Sequence, residues 1–484
     1  MLFWKGAVRS IAVRPSKGTP RGLKLTSFDL VVIGSGPAGQ KAAIAAAKIR
    51  KRVAVVDRQT TLGGVSVHNG TIPSKTFREG VLYLTGFRER TFYGRSYSLK
   101  ERISAQDLSF RVRAVVAKEI EIIRAQLMRN DVVLLDGSAR FVDPHTLEIQ
   151  GIGAPTTVRA PHIVIACGTR PSHNPEIQLD GRYVLDTDQM VSYGEIPKEA
   201  IIVGGGVIGL EYTSMLAALG VKVTLVEQRP VVLDFVDREI VEALCYHLRD
   251  LGTTFRLGEK VVSVTVDDTR KRVVARLESG KSVSGSLLLY CVGREGNTDT
   301  LNLAAAGLTS GVRGKLEVNE FFQTAVPHIY AVGDIVGFPA LASTSTEQGR
   351  AASCHIYGMP FKYSPEFLPY GIYTIPEISM VGKTEEELTA AKIPYETGLA
   401  RYAELAKGQM IGDETGMLKL LFDLATLKLL GVHAIGDRAA EIIHIGQAVL
   451  ALGGTMEYLR DTVFNYPTMA EAYKVAALNG MNKL

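Results

Sequence analysis

The same short pattern occurs twice, and it restricts the fold more than any other feature of the chain. Residues 29–33 (DLVVI) form an apolar run. The turn GSGPAG follows, with Gly34, Ser35, Gly36, Pro37, Ala38 and Gly39, then an alanine-rich helical stretch over residues 40–49, and a second apolar run, residues 53–56, ends in Asp57. Residues 200–203, the turn GGGVIG with Gly204, Gly206 and Gly209, a helical stretch over residues 210–219 and a run over residues 222–226 ending in Glu227 repeat that order. Short apolar runs without alternation are buried on both faces, as parallel strands are. A strand, glycine turn, helix, strand and acid in register form a dinucleotide-binding fingerprint. Gly34 makes the tight turn, Gly36 lets the backbone approach a pyrophosphate, and Gly39 lets helix and strand pack closely. The helix N-terminus receives the pyrophosphate, and Asp57 is placed to accept from a ribose hydroxyl. Two complete fingerprints predict two nucleotide-binding domains.

The remaining composition excludes more than it identifies. A chain of 484 residues, 46% of them hydrophobic, is long enough for about three domains. A net charge of +5 is dispersed along the sequence and gives no case for nucleic acid. No apolar run reaches the roughly 18 residues of a membrane span. Cys167, Cys245, Cys291 and Cys354 are far apart and lack metal-ligand spacing, so each reads as a small core residue in a reducing, cytoplasmic setting. Residues 1–27 carry Lys5, Arg9, Arg14, Lys17, Arg21 and Lys24 and no acid. A targeting peptide shares that balance. The favoured reading is a disordered extension or a start placed too far upstream.

Residues 62–75 read LGGVSVHNGTIPSK. This segment resembles the redox-active segment of the flavoprotein disulfide reductases, in which two cysteines form a disulfide beside the flavin. Ser66 stands at the first cysteine position and Thr71 at the second. A hydroxyl forms no disulfide and supplies no thiolate. The resemblance extends over residues 28–484. Residues 163–171 and 287–297 are similar to the segments by which the chain leaves and re-enters the FAD domain. Residues 329–335 (IYAVGDI) are similar to the second FAD motif, whose aspartate, here Asp334, bonds the ribityl chain. Thr344 to Glu347 has a capping-box pattern opening the next helix. Residues 370–382 and 431–450 are similar to the interface domain.

The resemblance implies an α/β fold of two Rossmann-like domains, for FAD and NAD(P), plus a C-terminal α+β interface domain. The implied divisions are a first FAD part over residues 28–173, a nicotinamide domain over 174–300, a second FAD part over 301–357 and an interface domain over 358–484. A homodimer or higher homo-oligomer follows from the last. Lys75 is implied beside flavin N5 and Glu211 as its ion-pair partner. Further cofactor positions implied are Gly63, Gly64, Ser66, Thr71, Ala139, Gly168, Ala342 and Gly293. His68 reads as a hydrogen-bonded structural residue. Near the C-terminus, Tyr466 occupies the position of the family's catalytic histidine, while Pro467 and Glu471 are kept. A tyrosine of ordinary pKa near 10 is a poor base at neutral pH.

Loss of both the sulfurs and the base, with the flavin motifs intact, resembles the soluble FAD-dependent pyridine nucleotide transhydrogenases of the Si-specific type. Their reaction, NADPH + NAD+ = NADP+ + NADH, proceeds on this reading by a ping-pong route through the flavin, with NAD(H) and NADP(H) as substrates. The alternative is an NAD(P)H dehydrogenase passing electrons to a quinone. A non-catalytic nucleotide-binding dimer is the third reading. Glu227 favours the 2′-hydroxyl of NAD, and Arg229 favours the 2′-phosphate of NADP. Which of them faces the ribose stays open at this level.

Overall fold

The computed structural model describes residues 26–361, 363 and 365–484. Residues 1–25 of the expected basic extension lie outside the described residues. Thr26 and Ser27, assigned to that extension from sequence, instead pair in parallel with Val158 and Arg159. An edge strand leaves a row of unpaired amides that such an extended segment satisfies.

Each fingerprint opens a five-stranded parallel sheet. The first runs Ile329–Ala331, His162–Ile165, Leu30–Ile33, Val53–Asp57, Val133–Asp136, and the second Val184–Asp186, Leu287–Tyr290, Glu199–Val203, Lys222–Glu227, Thr254–Leu257. Leu30 pairs with Val53 and Ile33 with Val56; Ala200 pairs with Val223 and Val203 with Val226. All four residues of Leu30–Ile33 are buried: Leu30 and Val32 pack on helix residues such as Ala42 and Leu127, and Val31 and Ile33 pack on the antiparallel strands that carry Phe141, Leu147 and Val158. The glycine turns sit at the carboxyl ends of these strands. The chain crosses between the two sheets on a two-stranded antiparallel ribbon, Thr169–Pro171 with Arg294–Gly296. A third five-stranded sheet is antiparallel, in the order Tyr370–Ile372, Glu377–Gly382, Leu429–Gly436, Met417–Asp423, Tyr395–Arg401. The fold is therefore α/β with a C-terminal α+β unit.

The two helices after the turns begin earlier than their apolar pattern suggests, at Pro37 and Val207 rather than at residues 40 and 210. The middle glycine of each turn is the N-cap, so the third glycine already belongs to the first helical turn. Pro37 at the first position suits this, because it has no amide to leave unsatisfied. The expected capping box at Thr344 does not form. The helix Ala342–Ile356 begins three residues earlier, with Leu341 rather than Thr344 as its N-cap, and the Thr344 hydroxyl donates to the carbonyls of Pro339 and Leu341, at 2.9 Å each. A hydroxyl that donates back along its own chain does not cap the amides ahead of it. Cys245 and Cys354 are buried; Cys167 and Cys291, half-buried at strand ends, pack with their thiols against apolar core clusters.

Two buried cations tie the third sheet to the rest. Arg78 lies on Thr71–Leu84, the helix that also carries Lys75; its Nε donates to Thr374 O at 2.9 Å and its Nη1 meets Glu377 Oε1 at 3.2 Å. Lys419 lies on Met417–Asp423 and reaches Asp237 at 3.0 Å, Glu239 at 3.1 Å and Glu385. Asp237 caps Arg238–Asp250, a helix of the second parallel sheet. Breaking a buried pair by removing one partner costs roughly 3–5 kcal/mol, because a bare charge stays behind. These ties fix the third sheet against both glycine-turn units.

Candidate functional site

The three fingerprint glycines that the two turns share are glycine for three different reasons. Gly34 and Gly204 have φ of +104° and +110°, which disfavours any side chain. At Gly39 and Gly209 a Cβ would collide with the carbonyl of Gly34 or Gly204. Gly36 and Gly206 have ordinary φ values of −63° and −81°, and a Cβ there would meet nothing within 4 Å. Neither strain nor protein packing demands glycine at these two places. Their bareness keeps space open above two helix N-termini that no side chain caps. Free first-turn amides and the helix dipole both favour a phosphate there. The residues present thus fit a dinucleotide at each turn.

The acid that ends each fingerprint is tied to its turn. Asp57 Oδ2 accepts from Ser35 N at 2.8 Å and Ser35 Oγ at 2.5 Å, and its Oδ1 accepts from Thr61 Oγ1 at 2.8 Å. Ser35 Oγ accepts in turn from Gly63 N at 2.9 Å, so Gly63 and Gly64 are drawn against the first turn. Glu227 is only 6% exposed; its Oε2 accepts from Gly205 N at 2.6 Å. Its Oε1 accepts from Arg229 N at 2.9 Å and Arg229 Nε at 3.1 Å. Burial opposes its ionisation, but the hydrogen bonds from Arg229 and Gly205 outweigh it and hold the pKa below the ordinary carboxylate value. Arg229 also meets Asp234 at 2.8 Å. Glu227 and Arg229 are therefore one charge pair, not two independent readers.

Between the turns lies a second pair. Lys75 Nζ donates to both oxygens of Glu211, at 2.7 and 2.8 Å, and lies 5.0 Å from the Tyr373 ring centre. Tyr373 N donates to Glu211 Oε1 at 3.0 Å. The Glu211 side chain is 5% exposed and that of Lys75 is 27% exposed. Ser66 Oγ donates to Gly63 O at 3.1 Å, and Thr71 opens the Lys75 helix. His68 Nε2 lies 2.9 Å from Leu62 O, a structural bond as expected. All four cysteines are free; burial pushes the Cys167 thiol up to about 12 and raises that of Cys291 as well. Neither is a thiolate at neutral pH.

Asp334 sits on the turn Gly333–Val336. Burial raises its pKa, and Arg294, Ser345 and Thr169 only partly offset that; Ser345 Oγ is 3.4 Å from it. A carboxylate in this position gains from any further hydroxyl donor. Gln348 Oε1 accepts from Gly333 N at 2.8 Å and Gln40 Nε2 donates to Ser35 O at 2.8 Å. The sequence reading did not single out Ser345, Gln348 or Gln40. Their signal is weak, a polar side chain on an otherwise packed helix face. Ala342 is the first residue of the helix Ala342–Ile356. Gly168, at φ +64°, also faces open space, and the Arg313 guanidinium lies over Gly293. Ala139 is packed in the apolar core with Phe141 and Leu147, and none of these hydrogen bonds reaches it. Tyr466 is exposed, and Glu471 keeps one oxygen without a partner among the described residues.

Residues 28–349 match the pyridine nucleotide-disulphide oxidoreductase family, and residues 368–477 match the dimerisation domain of that family. The soluble pyridine nucleotide transhydrogenase of Mycobacterium tuberculosis (strain ATCC 25177 / H37Ra) is 54% identical over 462 residues, covering 95% of this chain and 98% of the relative. The protein of the same description from Klebsiella pneumoniae subsp. pneumoniae is 45% identical over 463 residues, covering 94% and 98%. Among solved structures, LpdA from Mycobacterium tuberculosis aligns with a TM-score of 0.86 at 27% identity, over 94% of this chain and 99% of that one. The HOCl-induced flavoprotein disulfide reductase RclA from Escherichia coli aligns at 0.84 and 25% identity, over 93% and 99%.

The glycine geometry predicts opposite outcomes for two neighbouring substitutions. Gly36→Ala meets open space at an ordinary φ, so it should leave the unfolding midpoint of the flavin-free protein unchanged and lower flavin binding. Gly39→Ala forces a side chain into the Gly34 carbonyl and should lower the midpoint itself. Flavin absorbance per chain and thermal unfolding separate them; equal behaviour of the two variants would contradict the assignment.

Proposed function

Because the chain belongs to the pyridine nucleotide-disulphide oxidoreductase family, we propose that it catalyses NADPH + NAD+ = NADP+ + NADH without a redox-active disulfide. FAD, when bound, supplies the hydride-carrying chemistry that makes the reaction ping-pong. The observation that supports this reading most is the Lys75–Glu211 pair, which spans the two nucleotide units while Ser66 and Thr71 stand where sulfurs would drain electrons away.

On this reading Gly34, Ser35, Gly36, Pro37, Ala38 and Gly39 cradle the FAD pyrophosphate, with Asp57, Gly63, Gly64, Asp334 and Ala342 around its remaining length. Gly204, Gly206 and Gly209 hold either nicotinamide nucleotide, with Gly293 beside them. One nicotinamide turn serves both, so the two nucleotides bind in succession. Lys75, oriented by Glu211, keeps positive charge fixed where negative charge builds on hydride arrival. Glu211 is itself braced by the Tyr373 amide, so little reorganisation accompanies the step. Si-face transfer belongs to the same proposal. A homodimer is supported by the match of the C-terminal segment, and a cytoplasmic setting by the free cysteines.

Steady-state rates with NADPH and an NAD+ analogue should give parallel double-reciprocal lines and exceed turnover with quinones, and lipoamide or glutathione disulfide should not turn over. Intersecting lines, or quinone turnover above nucleotide turnover, would refute the proposal. The Glu227–Arg229 pair generates a second prediction. Glu227→Gln keeps an acceptor for Gly205 N and removes the charge, so use of NADPH relative to NADH should rise. A charged contact is worth roughly 1–3 kcal/mol, so a change of about tenfold is expected. Arg229→Gln should shift the ratio the other way. An unchanged ratio in both variants would mean that this pair does not read the ribose.

A further inference from the structure

Three aromatic rings from three units meet beside this site. Phe235 follows the strand Lys222–Glu227, Phe338 follows the Asp334 turn, and Tyr370 opens the third sheet. Phe235 stands edge-on to both others, with ring centres 6.0 Å from Phe338 and 5.1 Å from Tyr370. Phe338 and Tyr370 lie nearly parallel, 6.0 Å apart at 15°. Phe338 is 71% exposed, so its ring is not there to fill a core.

The surroundings of the trio place it at the mouth of the site. Phe235 and Tyr370 pack with Val207 on one apolar cluster, and Val207 is the first helical residue after Gly206. Burial pushes the Tyr370 hydroxyl up to about 12, and the charges of Glu211 and Asp334 add to that push. Tyr370 is thus neutral and within electrostatic reach of both carboxylates. Tyr373, on the same segment, bonds Glu211 and lies under Lys75. The exposed Phe338 ring lies on the two rings that pack with Val207, and one of them, Tyr370, is on the segment whose Tyr373 reaches the Lys75–Glu211 pair.

We propose that Phe338, backed by Tyr370 and Phe235, is the surface on which the nicotinamide ring of the entering dinucleotide stacks, a positioning role that rests on the function proposed above. An aromatic face accepts a planar ring in offset or edge contact. The oxidised nicotinamide ring is cationic and gains further from a π face. That ring is common to NAD and NADP, so Phe338 acts alike on both. The Glu227–Arg229 pair reads the opposite, adenosine end and acts on their ratio.

Calorimetric titration of the purified flavoprotein with NAD+ and with NADP+ tests this. Phe338→Ala should weaken both by the same factor, about three- to tenfold, with flavin content and unfolding midpoint unchanged. Phe338→Leu, which keeps apolar bulk without a π face, should weaken both as well, whereas Phe338→Tyr should bind like the unsubstituted protein. Unchanged affinities in the Ala and Leu variants, or a loss confined to one nucleotide, would overturn the inference. An unsubstituted protein that bound neither nucleotide would overturn the proposed function, and this inference with it.

Discussion

A nearly buried carboxylate needs a partner, and Glu211 finds one on a different structural unit. Its charge is tolerable only because Lys75 donates to both its oxygens and the Tyr373 amide to one of them. Those three residues come from the helix Thr71–Leu84, the second glycine-turn helix and the turn after the strand Tyr370–Ile372. One charge pair thereby requires all three units to meet at a single point. Arg78 and Lys419, each buried and each bridging units, hold that meeting in place from either side. The Lys75 ammonium is left partly exposed.

The two fingerprints also share a feature that their usual description omits. In each, the acid at the end of the second strand accepts from the second amide of the glycine turn: Asp57 from Ser35 and Glu227 from Gly205. The acid thus fixes the turn whose third glycine seats the helix. In the second unit Arg229 also bonds the acid directly. A substitution at either acid therefore acts on turn geometry.

The fold class was legible in the sequence because it is written in local pattern: apolar runs, two glycine turns and terminal acids. Lys75 and Glu211 were legible only through resemblance, since nothing local says that residues so far apart will touch. What escaped was set by long-range or competing contacts. Thr344 has the composition of a cap, but its hydroxyl bonds the carbonyls behind it. Thr26 and Ser27 look like the end of a basic tail until the edge at Val158 offers them a ladder. Ser345 and Gln348 serve the Asp334 turn from another element. Phe235, Phe338 and Tyr370 are unremarkable singly, and only the fold brings their rings together.

The central claim is that one nicotinamide site, served by the Lys75–Glu211 pair, works on the two nucleotides in turn. Anaerobic mixing of the purified flavoprotein with NADPH alone, followed by NAD+ after the released NADP+ is removed, tests it most directly. The account predicts that flavin absorbance is lost in the first mixing, and that it returns in the second with stoichiometric appearance of NADH. Flavin absorbance that stays constant with either nucleotide alone and changes only when both are present would contradict it.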